Sequence, residues 1–460
     1  MYIYIIMNLG YFIETGIPGN DIESIKKFLS RLRPMHIIIM KDNFSDKNNL
    51  SILIKEINKF YINDLKLNKP IFSIDQEGGN VIRINDIDYV PSNYCLGFIN
   101  KMNVSRLAGI ITGSELRSLG ILWNHAPVLD ILESTKNPVI LERSFGKDPK
   151  KVSRLGKSYI KGIQSAGVAA TAKHFPGHGS VIEDSHVTLP VDNRDINEIK
   201  ISMMPFISAI EAGVKSIMIS HVLYQSIDDL PASLSKNIDS ILRKNLNFNG
   251  VSVTDSINMR ALSSNFSVKE IAMRSNADII ESVDPETSIE LMDFIKIKDI
   301  KKDSYQRIIN LIPDNHIKIP DTNMSFISYM CVKKFRGKYL NKDMKTDVIF
   351  MPNISKTLVE TGRIDYKNVI LLLKEKIKNI NFFDYENYDG NARQIIIIGR
   401  NLHIKNYELM NLTFKKRSFY ISTGINCDIN DVPESMGYIS CFSTKPESVY
   451  FALLKSFGLI

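Results

Sequence analysis

The sequence predicts a (β/α)8 barrel followed by a smaller α/β sandwich domain. Within residues 1–312, short β-rich apolar runs alternate with amphipathic segments whose apolar residues recur every three or four positions. This alternation is typical of parallel strands joined by helices, and eight repeats of it suit a closed barrel. From residue 346 a second, shorter series of the same kind begins. A doubly wound open sheet is the alternative for the first part, but no Gly-x-Gly-x-x-Gly sequence follows the first strand.

Eight apolar runs are the candidate strands of the barrel. In chain order they cover residues 11–16, 36–40, 70–75, 121–132, 168–174, 215–222, 251–255 and 278–282. The clearest helical patterns between them cover residues 21–32, 50–61, 104–116, 151–167 and 196–213. Each of these segments has an apolar stripe that can cover the outside of the sheet.

Residues 313–345 interrupt this rhythm. Pro313 and Pro320 are followed by a basic segment, so we interpret the stretch as a connector between two domains. Residues 346–460 then carry apolar runs that predict the strands of the second domain, at 347–352, 368–373, 380–385, 394–400 and 418–423. No titratable residues cluster there, so the function is expected to lie in the first domain.

The charge balance argues against a nucleic-acid partner. The chain has 58 Lys and Arg and 50 Asp and Glu, with a net charge of +8, and the basic residues are scattered. A mixed, solvated surface explains this pattern better than a polyanion-binding face. No apolar run approaches the roughly 18 residues that a membrane span requires. We therefore expect neither nucleic acid nor a membrane as a partner.

The cysteines and the N-terminus predict a cytoplasmic protein. The N-terminal segment is apolar but has no basic region and no small-residue cleavage site, so we interpret it as a buried strand, not a signal peptide. The four cysteines lie far apart without a Cys-x-x-Cys pair. This argues against a disulfide framework or a thiolate zinc site and suits a reducing compartment. They are Cys95, Cys331, Cys427 and Cys441.

Chemically active side chains follow the predicted strands. Functional groups in a parallel barrel gather at the carboxyl ends of the strands. Asp75 follows the third strand, Arg143 lies in the loop after the fourth, and Asp255 ends the seventh. Three of the eight histidines lie between 174 and 186. Singly, Asp75 and Asp255 could cap helices and Arg143 could form a structural ion pair, but together these residues favour a site.

A metal site is one alternative for the histidine cluster. His174, His178 and His186 could ligate zinc together with Asp184. However, Lys173 would repel a cation, and the Pro-Gly turn within the cluster differs from the helical pairing of a zincin motif. We therefore expect no catalytic metal and no cofactor.

A metal-free arrangement fits the same residues. Asp255 is a strand-end carboxylate that can attack an electrophilic carbon. Asp184 and His186 are one residue apart, as in a pair that orients an imidazole for proton transfer. A nucleophilic carboxylate and a proton donor are the equipment of a retaining glycosidase. In this interpretation Asp75 takes a pair of sugar hydroxyls, and other hydroxyls are held by Arg83, Arg143 and Lys173.

These loops are similar to those of family 3 glycoside hydrolases, and most closely to the exo-β-N-acetylglucosaminidase branch. The C-terminal stretch also looks like the family's second, α/β sandwich domain. The Lys-His-Phe-Pro-Gly-His-Gly loop with a following Asp-Ser-His separates this branch from the family's β-glucosidases. The resembling segments occur in the family's order across the first domain, at 75–83, 126–131, 137–149, 173–179, 183–186, 219–222 and 253–259.

The resemblance implies double-displacement hydrolysis with net retention, acting on a terminal non-reducing β-linked N-acetylglucosamine. It implies that Asp255 is the nucleophile and that His186, paired with Asp184, is the acid/base. It also implies which residues bind the terminal sugar, namely Asp75, Arg83, Arg143, Lys173 and His174.

Departures from the family pattern leave these groups in place. Ser180 and Ser256 stand where Asp is usual, and Leu141 stands where Gly is common. The alternatives are a broad-specificity β-glucosidase or β-xylosidase, a sugar-binding relative without turnover, and a zinc hydrolase. The sequence leaves open the aglycone, the oligomeric state, the role of the C-terminal domain and phosphate as the acceptor in place of water.

Overall fold

The computed structural model describes every candidate site residue. It describes residues 9–295, 302–313, 325–336, 338–351, 366–377, 379–384, 394–399, 418–423, 436–441 and 445–460, with single positions 388, 392 and 432. The first eight residues of the N-terminal segment that was interpreted above as a buried strand lie outside this range, as does Cys427. Across the described ranges, none of the helices combines the length and the apolar character needed to traverse a bilayer.

The described part of the first domain contains ten strands. They are β1 (Ile13–Thr15), β2 (His36–Ile38), β3 (Ile71–Ile74), β4 (Trp123–Asn124), β5 (Ala169–Phe175), β6 (Val191–Asp192), β7 (Ser216–Ile219), β8 (Leu223–Tyr224), β9 (Val251–Thr254) and β10 (Ile280–Ser282). Strands β6 and β8 form a separate parallel pair. The other eight lie in one sheet in the order β10-β1-β2-β3-β4-β5-β7-β9.

This sheet is a nearly closed barrel. All of its neighbouring strands are parallel, and a parallel bridge between Val253 and Ile279 joins its two ends. The predicted barrel is therefore confirmed. Seven of its eight strands fall within a predicted run, and β5 extends one residue beyond its run, to Phe175. The carboxyl ends of these strands, with the loops that follow them, surround one end of the barrel axis.

Helices connect and cover the strands. Those of the first domain are α1 (Ile22–Leu32), α2 (Lys47–Phe60), α3 (Asn93–Ile99), α4 (Met102–Ser118), α5 (Pro149–Ser165), α6 (Ile196–Glu211), α7 (Lys236–Ser240), α8 (Arg260–Ser263), α9 (Val268–Arg274), α10 (Pro285–Ile295) and α11 (Lys302–Ile309). They are followed by α12 (Ser325–Met330), α13 (Lys367–Lys376) and α14 (Pro446–Ser456).

Local sequence explains where several of these helices begin and which face they bury. Asp21 caps α1 through its carboxylate, and Asp148 caps α5, which starts with Pro149. The apolar stripe of α1 buries Ile25 and Leu29 against the barrel. The other helices also bury their apolar faces, and together with the sheet they form one continuous hydrophobic core.

The described strands of the second domain form a six-stranded sheet. Its strands are β11 (Lys333–Arg336), β12 (Thr346–Phe350), β13 (Ile380–Asp384), β14 (Gln394–Gly399), β15 (Ser418–Ser422) and β16 (Gly437–Ser440), in the order β11-β16-β15-β14-β12-β13. Only the edge pair β11–β16 is antiparallel within the described strands. Strand β11 lies inside the stretch that the sequence analysis interpreted as a connector.

One predicted strand of this domain is wrong. The apolar run at 368–373 lies within helix α13, which begins at Lys367 and continues through the charged residues up to Lys376. A short run of apolar residues has no period that separates a buried strand from a helix. Here α13 buries Val369 and Leu373, four positions apart, on the second domain's core.

The two domains meet beside α3. Cys95 of α3 pairs with Cys331, which follows α12, and their Cα atoms lie 5.5 Å apart. That separation is within the range that a disulfide spans. The argument against disulfides from cysteine spacing is therefore wrong for this pair, because residues far apart in sequence meet here. Lys445, just before α14, reaches back to the barrel, where its Nζ donates to Asp88 Oδ1 at 3.1 Å.

Candidate active site

A cavity of about 300 Å³ lies at the carboxyl ends of the barrel strands. Seven of the eight predicted site residues line it, and the eighth, Asp184, is hydrogen-bonded to the cavity residue His186. The seven are Asp75, Arg83, Arg143, Lys173, His174, His186 and Asp255. The structure therefore brings the predicted site residues together at one end of the barrel.

Asp255 is held directly after β9 by backbone hydrogen bonds. Its N–H donates to the Ile219 carbonyl at 3.0 Å, and its Oδ1 accepts from the Ser256 N–H at 2.8 Å. It does not cap the following helix, since the N-cap of α8 is Met259. Burial raises the pKa of Asp255, but nearby histidines, with His174 the largest contributor, lower it to about 2. The carboxylate is thus ionised at neutral pH.

Asp184 and His186 form a hydrogen-bonded pair at the cavity. Asp184 Oδ1 accepts from the backbone N–H of His186 at 2.9 Å and lies 2.7 Å from its Nδ1. Burial raises the pKa of Asp184, but the hydrogen bonds from His186 outweigh it and leave the pKa lowered. With Nδ1 directed to the carboxylate, Nε2 is the nitrogen that can exchange a proton with a bound molecule.

Asp75 is paired with two cations. Its Oδ2 accepts from Arg83 at 3.0 Å, and its Oδ1 accepts from Lys173 Nζ at 2.8 Å. Burial raises the pKa of Asp75, but Lys173 and Arg83 hold it well below its usual range. The helix-cap alternative does not apply, because the next helix, α3, is capped by Ser92.

Glu77 is a site residue to which the sequence analysis gave no role. Its two carboxylate oxygens accept from Arg143 Nε and from an Arg143 terminal nitrogen, both at 2.9 Å. Glu77 Oε1 also lies 2.6 Å from Lys173 Nζ. The structural ion pair considered for Arg143 therefore exists, and it orients a residue that lines the cavity. The sequence did contain a signal for Glu77, because it is a charged residue that follows a buried strand and precedes Gly78 and Gly79.

Asp130 is the second such residue. Its carboxylate lies 2.7 Å from His174 Nδ1 and accepts from the backbone N–H groups of His174 and His178. Burial raises the pKa of Asp130, but His174 lowers it overall. The three contacts fix the loop after β5 and direct His174 Nε2 toward Asp255, 4.0 Å from its Oδ2.

The other histidines around the cavity make separate hydrogen bonds. His178 Nε2 lies 3.2 Å from Ser185 Oγ, and burial lowers the pKa of His178 to about 4. His221 Nε2 lies 3.0 Å from the Ser256 carbonyl, so it donates there. Among the described residues, the group whose ligand atoms gather within 4.8 Å includes none of the four residues considered for zinc.

The arrangement can perform acid/base chemistry on a neutral, polar molecule. One ionised carboxylate, one imidazole backed by a carboxylate, and several buried ion-paired groups face the same cavity. Asp75 and Glu77 are each ion-paired with two cations, while the Asp255 carboxylate accepts from the Ser256 backbone N–H and lies 4.0 Å from His174 Nε2. Asp255 is therefore the carboxylate best placed to react.

Comparison with known proteins identified similar chains. A beta-hexosaminidase of Thiobacillus denitrificans is 37% identical over 232 residues, which are 48% of this chain and 63% of that protein. A beta-hexosaminidase of Psychromonas ingrahamii is 35% identical over 295 residues, 61% of this chain and 86% of that protein.

A solved structure, that of a glycoside hydrolase family 3 beta-N-acetylglucosaminidase from Paenibacillus sp. str. FPU-7, has the same fold. It superposes with a TM-score of 0.90 at 26% identity, covering 100% of this chain and 97% of that one. The model of the glycosyl hydrolase family 3 N-terminal domain matches residues 13–306, which contain the barrel and all of the cavity residues. The chain therefore belongs to glycosyl hydrolase family 3.

Proposed function

We propose that the protein is a retaining exo-β-N-acetylhexosaminidase that removes terminal non-reducing β-N-acetylglucosamine. Support comes from the beta-hexosaminidase relatives and from one observation in the cavity. The ionised Asp255 and the Asp184–His186 pair line or adjoin the same 300 Å³ space. A carboxylate nucleophile and a separate proton donor are the two groups that double displacement requires.

In the first step, Asp255 attacks the anomeric carbon while His186 protonates the departing glycosidic oxygen. The bond to the aglycone breaks, and an ester between the sugar and Asp255 forms. Nearby histidines keep the nucleophile ionised by lowering its pKa to about 2. His186 gives its Nε2 proton, and Asp184 stabilises the ring by accepting from Nδ1.

In the second step, His186 takes a proton from water, and the water attacks the same anomeric carbon. Two inversions give net retention, and Asp255 leaves as a carboxylate. The imidazole is regenerated in its protonated form, ready for the next cycle.

The remaining residues hold the sugar. Asp75 can accept from a pair of hydroxyls, because Arg83 and Lys173 keep it ionised. Arg143, fixed by Glu77, and His174, fixed by Asp130, line the same cavity as the reacting carboxylate. This positioning brings the anomeric carbon to Asp255 and excludes other orientations.

A panel of aryl β-glycosides tests the proposal, with and without phosphate. We expect a higher kcat/KM for the β-N-acetylglucosaminide than for the β-glucoside. Comparable or reversed values would favour a broad-specificity β-glucosidase, and absence of turnover on every substrate would favour a sugar-binding protein. Formation of a sugar 1-phosphate would identify phosphate, not water, as the acceptor. Insensitivity to EDTA is expected, whereas a catalytic zinc would make the activity chelator-sensitive.

A further inference from the structure

A second polar cluster lies inside the barrel, next to the active-site cavity. It consists of Glu14 on β1, His125 directly after β4 and Glu281 on β10. His125 Nε2 is 3.0 Å from Glu14 Oε1 and 3.6 Å from Glu281 Oε2. All three side chains are at least nine-tenths buried. None of them has a role in the reaction proposed above.

The two carboxylates of this cluster are incompletely satisfied. Among the described residues, nothing hydrogen-bonds to the buried Glu14 Oε2 or Glu281 Oε2, and 3.6 Å is too long for a hydrogen bond from His125. Within the described residues, His125 is the one basic side chain in ion-pair range of either carboxylate. An unpaired buried carboxylate is unfavourable unless a proton or a cation compensates it.

Other carboxylates near the cluster add to its negative charge. Glu281 lines the same cavity as the carboxylates of Asp75 and Asp255, and it lies in one cluster with Glu14. The nearby Lys173 compensates little, since its ammonium is already paired with Asp75 and Glu77. A divalent cation would offset the two carboxylates of the cluster together.

The separations suit one metal in particular. Ligand atoms arranged tetrahedrally around zinc, at bond lengths of about 2.0–2.2 Å, lie roughly 3.3–3.6 Å apart. The two distances from His125 Nε2, 3.0 Å and 3.6 Å, bracket this range, and the three ligand atoms all lie within 4.8 Å of one another. Two carboxylate oxygens and one imidazole nitrogen are a normal donor set for a divalent first-row ion.

The groups behind the cluster orient its ligands. His125 Nδ1 lies 3.2 Å from Thr171 Oγ1, which itself accepts from Trp123 Nε1 at 2.8 Å. With its proton on Nδ1 and directed to Thr171, His125 presents Nε2 as a lone pair. Ser73 Oγ donates to Glu14 Oε1 and orients that carboxylate. Carboxylates and histidines that bind metals are held in this way by outer hydrogen bonds.

We propose that Glu14, His125 and Glu281 bind one divalent metal ion, such as zinc, inside the barrel between β1, β4 and β10. Glu281 also lines the active-site cavity, so water from the cavity can complete the coordination. The ion joins strands on both sides of the barrel interior, close to the seam where β9 and β10 meet through one bridge. Its consequence is a more stable barrel.

Zinc binding to the full-length protein tests this proposal. After dialysis against EDTA and then chelator-free buffer, zinc is added, and bound zinc is measured by elemental analysis together with the unfolding temperature. We expect one buried equivalent and a rise in Tm of roughly 3–6 °C at a 100-fold excess over Kd. Anomalous diffraction at the zinc edge should place the ion among the three ligands.

Two variants and one control distinguish this site from the catalytic dyad. Glu281→Gln and His125→Gln should each fail to bind the one equivalent of zinc and should show no rise in Tm when zinc is added. Circular dichroism without zinc checks that both variants fold. His186→Ala, which removes the imidazole of the dyad, should retain both. The proposal is overturned if the wild-type protein binds no zinc, if Glu281→Gln binds and responds like the wild type, or if the anomalous peak lies on His186.

Discussion

Lys445 of the second domain holds the barrel loop that contains Asp88. Its Nζ donates to Asp88 Oδ1 at 3.1 Å and to the Tyr89 carbonyl at 2.9 Å, and the lysine is 3% exposed. The next residue, Val90, accepts from the Gly79 N–H at 2.9 Å. The second domain is thereby connected to the segment that carries Asp75, Glu77 and Arg83.

This contact predicts a long-range effect on the active site. Lys445→Met should lower the free energy of unfolding by about 1–3 kcal/mol, because the buried Tyr89 carbonyl and the partly buried Asp88 carboxylate lose the ammonium that donates to them. It should also raise KM more than it lowers kcat, since it loosens the loop that holds Asp75. Urea unfolding and steady-state kinetics measure both. The exposed Lys374→Met on α13 is the matched control, and equal behaviour of the two variants would contradict the prediction.

Replacing Asp255 should abolish turnover and leave the fold intact. Asp255→Asn removes the nucleophile, so we expect a loss of more than ~10³-fold in kcat. A 2-deoxy-2-fluoro glycoside should label the wild-type peptide that spans residues 251–260, as mass spectrometry can detect. The exposed Asp229→Asn is the control. Labelling of another carboxylate would remove Asp255 from this role.

Replacing His186 should make the rate depend on the leaving group. A poor leaving group must be protonated as it departs, whereas an activated phenolate needs little help. His186→Ala should therefore slow cleavage of a disaccharide about 10²–10⁴-fold more than cleavage of a dinitrophenyl glycoside. Azide, which needs no base, should restore turnover of the activated substrate and yield a β-glycosyl azide.

Asp184→Ala is the companion variant for this test. It should give a milder form of the same pattern, because Asp184 orients the imidazole but transfers no proton. Equal losses on both substrates, without azide rescue, would exclude His186 as the acid/base.

Glu77→Gln should damage both stability and substrate binding. Glu77 is 2% exposed and is the bidentate partner of Arg143, so the variant leaves a buried guanidinium with a neutral partner. Breaking one side of a buried ion pair lowers the free energy of unfolding by about 3–5 kcal/mol. We expect thermal unfolding to show this loss, and kcat/KM to fall. The exposed Glu183→Gln should change neither quantity.

The pKa of Asp255 predicts part of the acid sensitivity of the fold. Histidines lower it from 3.8 to about 2, so the carboxylate contributes stability that is present above pH 4 and lost as the pH falls toward 2. The contribution is about 2 kcal/mol. The stability difference between wild type and Asp255→Asn should therefore change by this amount over that interval. A stability difference between the two proteins that stays constant from pH 5 to pH 2 would contradict this prediction.

Local pattern in the sequence determined most of the fold. Alternating apolar runs and amphipathic helices specified eight barrel strands, because each period matches one kind of backbone geometry. The run at 368–373 was assigned to a strand and is part of α13, because a continuous apolar stretch has no distinguishing period. Side chains after the strands predicted the location of the site, since the carboxyl ends of parallel strands meet at one end of a barrel.

Tertiary structure decided which distant residues meet. The sequence placed Arg143, Lys173 and His174 in the cavity, but the folded loops decided that these residues pair with Glu77 and Asp130. The pairing of Cys95 with Cys331 likewise has no local signature.

The cluster of Glu14, His125 and Glu281 is the clearest case. These residues lie on or directly after three strands that are far apart in the chain, in positions where each alone is an isolated polar residue. Periodicity specifies a strand and the side of it that is buried, but not which other strands its interior side chains face. Closure of the barrel around a common axis decides which strands face one another across the interior. In this barrel the closure brings two carboxylates and an imidazole together.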